Sequence, residues 1–309
     1  MSLDEHGGWP GVLGRLSSGH DISADAAEAV LATVLAGDAS DAQLAAFVVA
    51  LRQKGETVEE MTGLVRAMRA AAVKPELPPH TIDLVGAGGS ELGRTAALNV
   101  STMASFVAAG AGALVCKHGN RKASSTSGSF DVLEALGVRI DLDKDDLEQC
   151  VRDIGVGFAF ARTFHPAMRF AGPVRAQLGI PTVFNVLGPL SHPGQLTRQV
   201  VGVPDAGLGE RMAEVLAATG SERAFVVTGD GGLDELSTTG PNVIHQIADG
   251  DITNVTVSPA DVGLTQASPA DLHGGDAEAN ADITRRVFDG VAGPHRDIVV
   301  LNAAAGLVV

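Results

Sequence analysis

The chain has 309 residues, 45% of them hydrophobic, which is enough for one large domain or two smaller ones around a substantial core. Asp and Glu number 37 against 22 Lys and Arg, a formal net charge of -15, the opposite of the basic footprint that displaces counterions from nucleic acid. Two cysteines, Cys116 and Cys150, exclude a disulfide framework and suit a reduced, cytoplasmic setting.

The opening "MSLDEHGGWP" carries acidic residues and no apolar run, unlike a signal peptide. Residues from about Ser23 to Val73 then read as helices only. "ISADAAEAVLATVLAG" has Ser23 as N-cap and Gly37 as stop, and "SDAQLAAFVVALRQKG" repeats the plan with Ser40 and Gly55. "TVEEMTGLVRAMRAAA" repeats it again, with the Thr57–Glu60 spacing of a capping box. The prolines of "VKPELPPH" mark a linker and candidate hinge.

Beyond the linker the period changes. "TIDLVGAGG" is a short β-rich run into glycines, a helix follows from about Ser101, and "ALVCKHGN" is a strand into a loop. "GSFDVLEALGV" reads as a helix, "GFAFA" and "RQVVGV" as strands, "DAGLGERMAEVLAATG" as a helix and "RAFVVTGD" as a strand. Alternation of this kind predicts a mostly parallel sheet flanked by helices. "TGPNVIHQIADGDITNVTVSP" predicts antiparallel strands and "DAEANADITRRVFDG" a helix. "HRDIVVLNAAAGLVV" predicts a buried strand entering a helix, which leaves the chain ending at its core with a C-terminal helix still to come. The apolar stretch from Ala96 to Cys116 contains Asn99, Ser101, Thr102 and Ser105, too polar for a membrane span. The expected fold class is α/β. A small all-helical N-terminal domain, residues 1–77, is joined by helices around 173–195, and a large α/β domain comprises 81–172 and 196–309.

In such sheets ligands bind beyond the carboxyl ends of the strands, so the strand-to-loop junctions hold the candidate chemistry. Gly86, Gly88 and Gly89 follow one strand and precede a helix. They fit a phosphate cradle, and equally a tight turn. "KHGNRKASSTSGS" sets Lys117, Arg121 and Lys122 among Asn120, Ser124, Ser125, Ser127 and Ser129, groups suited to a phosphorylated sugar; a solvated surface loop is the plainer alternative. Asp234 and Glu235 in "GDGGLDELSTTGP" suit a hard cation that shares oxygens with phosphates, or a helix N-terminus. His165 and Arg175 sit in apolar surroundings, where a core histidine and a snorkelling arginine are the common case.

Taken in order, "KHGNR", "SSTSGSFDVLEALGV", "FHPAMRFAGPVR", "FNVLGPLSHP" and "LDELS" resemble the anthranilate phosphoribosyltransferases, of the family that also includes pyrimidine nucleoside phosphorylases. The resemblance implies that phosphoribosyl pyrophosphate loses pyrophosphate while the anthranilate amine attacks the ribose C1′, with Mg²⁺ as cofactor, as a step of tryptophan biosynthesis. It implies that Gly86, Gly88, Gly89, Asn99, Ser101, Thr102, Lys117, Ser125 and Ser129 bind the donor. Ser101, Asp234 and Glu235 then hold the metal, and Gly86, Asn120, Arg175, His118 and His165 meet the acceptor. Lys117, Asn120 and Arg175 are the implied catalytic set. It further implies a homodimer through the helical domain, small-molecule partners, and neither nucleic acid nor membrane.

The donor loop departs from the family's usual pattern. Ala87 stands where Thr is usual and Ser90 where Asp is usual, the turn is three residues longer before Asn99, and Arg94 adds a cation. A divergent paralogue is therefore the alternative reading, using another aromatic acceptor or acting as a non-catalytic ligand- or nucleic-acid-binding protein.

Overall fold

The computed structural model describes residues 2–88, 98–121 and 127–309. Helices α1 (Gly8–Ser17), α2 (Ala24–Ala36), α3 (Asp41–Lys54) and α4 (Val58–Ala70) form an N-terminal bundle. Three of the caps follow the sequence pattern: Ser23, Ser40 and Thr57 accept from the backbone N–H of Ala26, Gln43 and Glu60. Gly37 ends α2 in the left-handed conformation, at φ 86°. Glu60 is fully buried and does three jobs, accepting from the N–H groups of Ile22 and Thr57 and pairing with Lys54 at 2.9 Å. The bundle packs so closely that a Cβ on Gly63 would stand 1.9 Å from the Ala24 carbonyl oxygen.

The sheet has seven strands in the order β3-β2-β1-β4-β5-β6-β7. They are β1 (Ile82–Gly86), β2 (Val115–Gly119), β3 (Val156–Phe160), β4 (Arg198–Gly202), β5 (Arg223–Thr228), β6 (Asn242–Ala248) and β7 (Asp251–Val257). The first five in this order run parallel, and β6 and β7 close the edge antiparallel, as the sequence predicts. Helices α5 (Val100–Gly110), α6 (Ser129–Ala135), α7 (Lys144–Ile154), α8 (Ala161–Phe164), α9 (Gly172–Leu178), α10 (Phe184–Leu190) and α11 (Ala206–Ala218) connect the strands, and α12 (Ala277–Phe288) and α13 (Pro294–Val308) complete the chain.

Alternation along β1 assigns the faces. Ile82 and Leu84 join Val100, Met103, Ile298 and Val299 under α5 and α13. Val85 joins Leu64, Met68, Val201 and Met212 on the other face, in one core with the bundle, α10 and α11.

One expectation changes, and two helices are added to the sequence reading. The last segment is one helix from Pro294, not a strand leading into a helix. Its "IVVL" run is β-branched yet packs around α5 with Ile298, Val299, Leu301, Ala303 and Ala305 all buried, so tertiary packing overrides strand propensity. Helix α1 forms although "GWPGVLG" has three glycines and a proline, burying Val12 and Leu16 against the bundle. Helix α7, which the sequence reading passes over, is capped by Asp143 and buries Leu147 and Val151.

Candidate active site

The order of the strands reverses between β1 and β4, so the loops leaving their carboxyl ends diverge and open a crevice there. The segment after β5 crosses that crevice and brings Asp234 and Glu235 into it. Asp234 Oδ2 accepts the Gly88 N–H at 2.7 Å, and Glu235 Oε1 accepts the Ser101 N–H at 3.1 Å. The Ser101 side chain also bonds Glu235. Glu235 thus complements a helix N-terminus, that of α5 rather than of a helix of its own, while Asp234 engages the exit of β1.

Glycine is required on the β4 side of this crossing, and on the β1 side it leaves room for the Asp234 carboxylate. A Cβ on Gly86 would lie 2.5 Å from Asp234 Oδ2, and one on Gly202 would meet the Asp234 backbone. Gly88 adopts φ +72°, a conformation that favours glycine. Its N–H is engaged by Asp234 instead of being turned outward.

Burial governs the electrostatics. Glu235 is pushed up to about 8, first by burial and then by the adjacent Asp234 charge. Lys117, on β2, is 2% exposed and donates to the Leu84 carbonyl. Burial lowers its pKa, opposed by the charges of Asp83, Glu235 and Asp234. Asp83, inside β1, is completely buried; burial raises it to about 7 against the pull of Lys117, and its Oδ1 accepts the His118 N–H at 3.1 Å. The sequence reading missed this residue. A carboxylate at the centre of the apolar run "TIDLVG" is the signal that could have found it.

Asn99 spans two segments. Its Oδ1 accepts from Asn280 at 2.8 Å, and its Nδ2 donates to the Ser127 carbonyl at 3.3 Å. Thr102, on α5, is buried, and its Oγ1 has no hydrogen-bond partner among the described residues. Ser129 opens α6, and its Oγ donates to the Asn120 carbonyl at 3.1 Å, while the Asn120 side chain accepts from the Arg121 N–H. Gly89 and Ser125, together with Ser90, Arg94, Lys122 and Ser124, lie outside the described residues.

Three buried histidines sit on the side of β2 that faces the bundle. The His118 ring lies 5.1 Å from His165 and 5.8 Å from His192, centroid to centroid. Burial holds His165 down to about 4 and His192 to about 3, and holds His118 well below its usual value, with the neighbouring rings adding to the effect there. All three are neutral at pH 7. His192, which the sequence reading did not single out, has both nitrogens committed: Nδ1 accepts from the Gly194 N–H, and Nε2–H therefore donates to the Cys116 carbonyl.

Arg175 stands apart from these groups. Its guanidinium lies over the Phe184 ring at 5.3 Å, and burial lowers its pKa. Among the described residues no hydrogen bond joins it to Asn120, His118 or His165. The structure therefore gathers Gly86, Gly88, Ser101, Lys117, Asp234 and Glu235 in one crevice, with His118 and His165 as a neighbouring pair.

Among the described residues no group of three or more His, Cys, Asp or Glu side chains converges as a metal site. The oxygens available are two adjacent carboxylates and the Ser101 hydroxyl. A hard divalent cation fits that donor set, since it takes a few protein oxygens and completes its shell with water and phosphate.

Two family models match the chain: the helical bundle domain of a glycosyl transferase family over residues 10–72, and the a/b domain of the same family over residues 78–309. Anthranilate phosphoribosyltransferase of Rhodococcus jostii (strain RHA1) is 50% identical over 299 residues, covering 97% of this chain and 82% of the relative. The crystal structure of anthranilate phosphoribosyltransferase from Thermus thermophilus superposes with a TM-score of 0.89 at 40% identity, covering 96% of this chain and 88% of that one. The Saccharomyces cerevisiae enzyme, in complex with phosphoribosyl pyrophosphate and Mg, superposes with a TM-score of 0.86 at 28% identity, covering 96% and 86%.

Proposed function

We propose that this chain, which belongs to the glycosyl transferase family with helical bundle and a/b domains, transfers phosphoribosyl from phosphoribosyl pyrophosphate to the amine of anthranilate. The nitrogen attacks C1′, the C1′–O bond to pyrophosphate breaks, and pyrophosphate leaves with the electron pair as the amine gives up a proton. The observation that carries this reading is the meeting of Asp234 and Glu235 with the ends of β1 and α5, beside buried Lys117.

Negative charge grows on pyrophosphate as the bond breaks, so the protein's task is positioning and electrostatic stabilisation. Asp234, Glu235 and Ser101 are the residues that would hold Mg²⁺. When bound, the ion supplies charge neutralisation for the leaving pyrophosphate. Lys117 places a cation under the same crevice, held in register by the Leu84 carbonyl and surrounded by three carboxylates. Gly86, Gly88, Gly89, Asn99, Thr102, Ser125 and Ser129 are assigned to the donor.

Gly86, Asn120, His118, His165 and Arg175 are assigned to the acceptor. The neutral rings of His118 and His165 suit an aromatic molecule, and Arg175 suits a carboxylate, since its charge is already partly desolvated over Phe184. An aromatic amine is a neutral nucleophile, so no strongly basic side chain is needed to prepare it.

The division into residues 1–77 with 173–195, and 81–172 with 196–309, is supported by the packing of Val174, Phe184 and Leu187 in the bundle core. A homodimer through the bundle and a cytoplasmic location complete the reading. No described helix is long and apolar enough to cross a membrane.

The experiment is the decay of anthranilate fluorescence with purified protein. Loss of signal that requires protein, phosphoribosyl pyrophosphate and Mg²⁺ together is the expected result. A flat trace with all components present would overturn the reading, and turnover restored by other aromatic acids would move the acceptor assignment instead.

A further inference from the structure

Asn280 lies on α12, far from the sheet's strands in sequence, and is completely buried. A buried amide is costly unless its groups are bonded, so the partners of Asn280 say what it is for. The Gly275 N–H donates to its Oδ1 at 2.8 Å, which fixes the oxygen end of the amide. Its Nδ2 must then face the other way, where it donates to Asn99 Oδ1 at 2.8 Å, with a longer bond to the Gly275 carbonyl at 3.3 Å. Because Asn99 accepts there, its own Nδ2 points to the Ser127 carbonyl. The two amides form a chain polarised in one direction, from Gly275 through Asn280 and Asn99 to Ser127.

Asn99 immediately precedes α5 and makes no side-chain cap on that helix. Its side chain is oriented from α12 instead, across 181 positions of sequence. Thr284, on the same helix, shares the burial of Asn280 and makes no described hydrogen bond to Asn99; its hydroxyl donates back to the Asn280 carbonyl at 2.7 Å.

We propose that Asn280 is a positioning residue for the donor end of the site, setting the orientation of the Asn99 amide and, through it, the spacing between the start of α5 and the segment at Ser127. The proposal rests on the donor assignment above. Replacing Asn280 by Asp keeps the size of the side chain and the bond from Gly275 and, with the kinetics read at about pH 9 so that the buried carboxyl is ionised, sets oxygen against oxygen at Asn99. Turning the Asn99 amide over relieves that clash only by placing its oxygen against the Ser127 carbonyl.

The test compares steady-state kinetics of the wild type with Asn280→Asp, Asn280→Ala and Thr284→Val, varying phosphoribosyl pyrophosphate and anthranilate separately at saturating Mg²⁺. Both Asn280 variants are expected to raise the donor KM roughly ten- to a hundredfold and to leave the anthranilate KM within about twofold. Thr284→Val is expected to lower the melting temperature and leave both KM values in place, because it loosens the helix without reorienting Asn99.

An unchanged donor KM in Asn280→Asp overturns the proposal, and so does the same donor defect in Thr284→Val, which would mean general loosening of α12. Asn280→Asp, being isosteric, decides the matter where Asn280→Ala fails to fold. Should the wild type show no turnover, the reaction assigned above fails by itself. Calorimetry with phosphoribosyl pyrophosphate then decides this proposal separately: weaker binding by Asn280→Asp sustains it, and equal binding, or no binding by the wild type, sinks it.

Discussion

The carbonyl oxygen of Asp234 passes over Gly202 so closely that a Cβ on that glycine would stand 1.7 Å from it. The crossing of the 234–235 segment over the end of β4 is therefore possible only with glycine at 202. Gly202→Ala should cost about 1–3 kcal/mol and shift the segment that carries both carboxylates. Turnover should fall much further than the melting temperature. Gly14→Ala serves as control, because Gly14 lies inside α1 with open space around it and Ala gains about 0.5–1 kcal/mol of helix propensity there. Equal kinetics for the two variants would show that the crossing is not needed for turnover.

The combined change Asp234→Asn and Glu235→Gln should abolish Mg²⁺-stimulated turnover while the protein stays folded, since both replacements keep shape and remove charge. Titrating Mg²⁺ against activity reads this directly. Surviving stimulation would place the metal on other oxygens.

Arg175→Ala should raise the anthranilate KM or lower kcat/KM for anthranilate by roughly ten- to a few-hundredfold, the loss of a charge-assisted hydrogen bond, with the donor KM unaffected. Arg175→Lys should recover little, because an ammonium reproduces neither the planar fork nor the stacking over Phe184. Kinetics equal to wild type in Arg175→Ala would take this residue out of the acceptor site.

Stability should fall on acidification through the histidines. His192 is held near 3 in the folded protein against an ordinary value of 6.5, so below pH 6.5 the unfolded chain takes up a proton that the folded chain refuses. Its contribution is fully present above that value and is lost as the pH falls toward 3. His165 and His118 act in the same direction. Asp83, raised to about 7, acts in the opposite sense, gaining stability as the pH falls. It is present in wild type and variant alike, so their difference isolates the ring. Urea midpoints at pH 6.5, 5.5 and 4.5 should show His192→Gln losing less with acid than the wild type, by up to about 1.4 kcal/mol per pH unit. Parallel curves would mean that His192 is not titrating in this window.

The sequence made some of this legible and not the rest, for physical reasons. Ser23, Ser40 and Thr57 announce their helices because capping is local chemistry. The strand-and-helix alternation gives the sheet because burial has a period. The "IVVL" of α13 misleads because it is apolar on every side, and α5 decides its conformation. Asp234 and Glu235 could be nominated from their spacing, but that they reach back to Gly88 and Ser101 is long-range geometry. Asn280 gave no signal, since its meaning lies wholly in a partner on another element.

Asp234 and Glu235 also act as a pair of clamps, one at each end of the stretch between Gly88 and Ser101. The end of β1 and the start of α5 are thereby stitched to one two-residue stretch that follows β5. A displacement of that stretch is felt at both elements at once, so the two carboxylates work as a mechanical linkage through which the end of β1 and the start of α5 move as one unit.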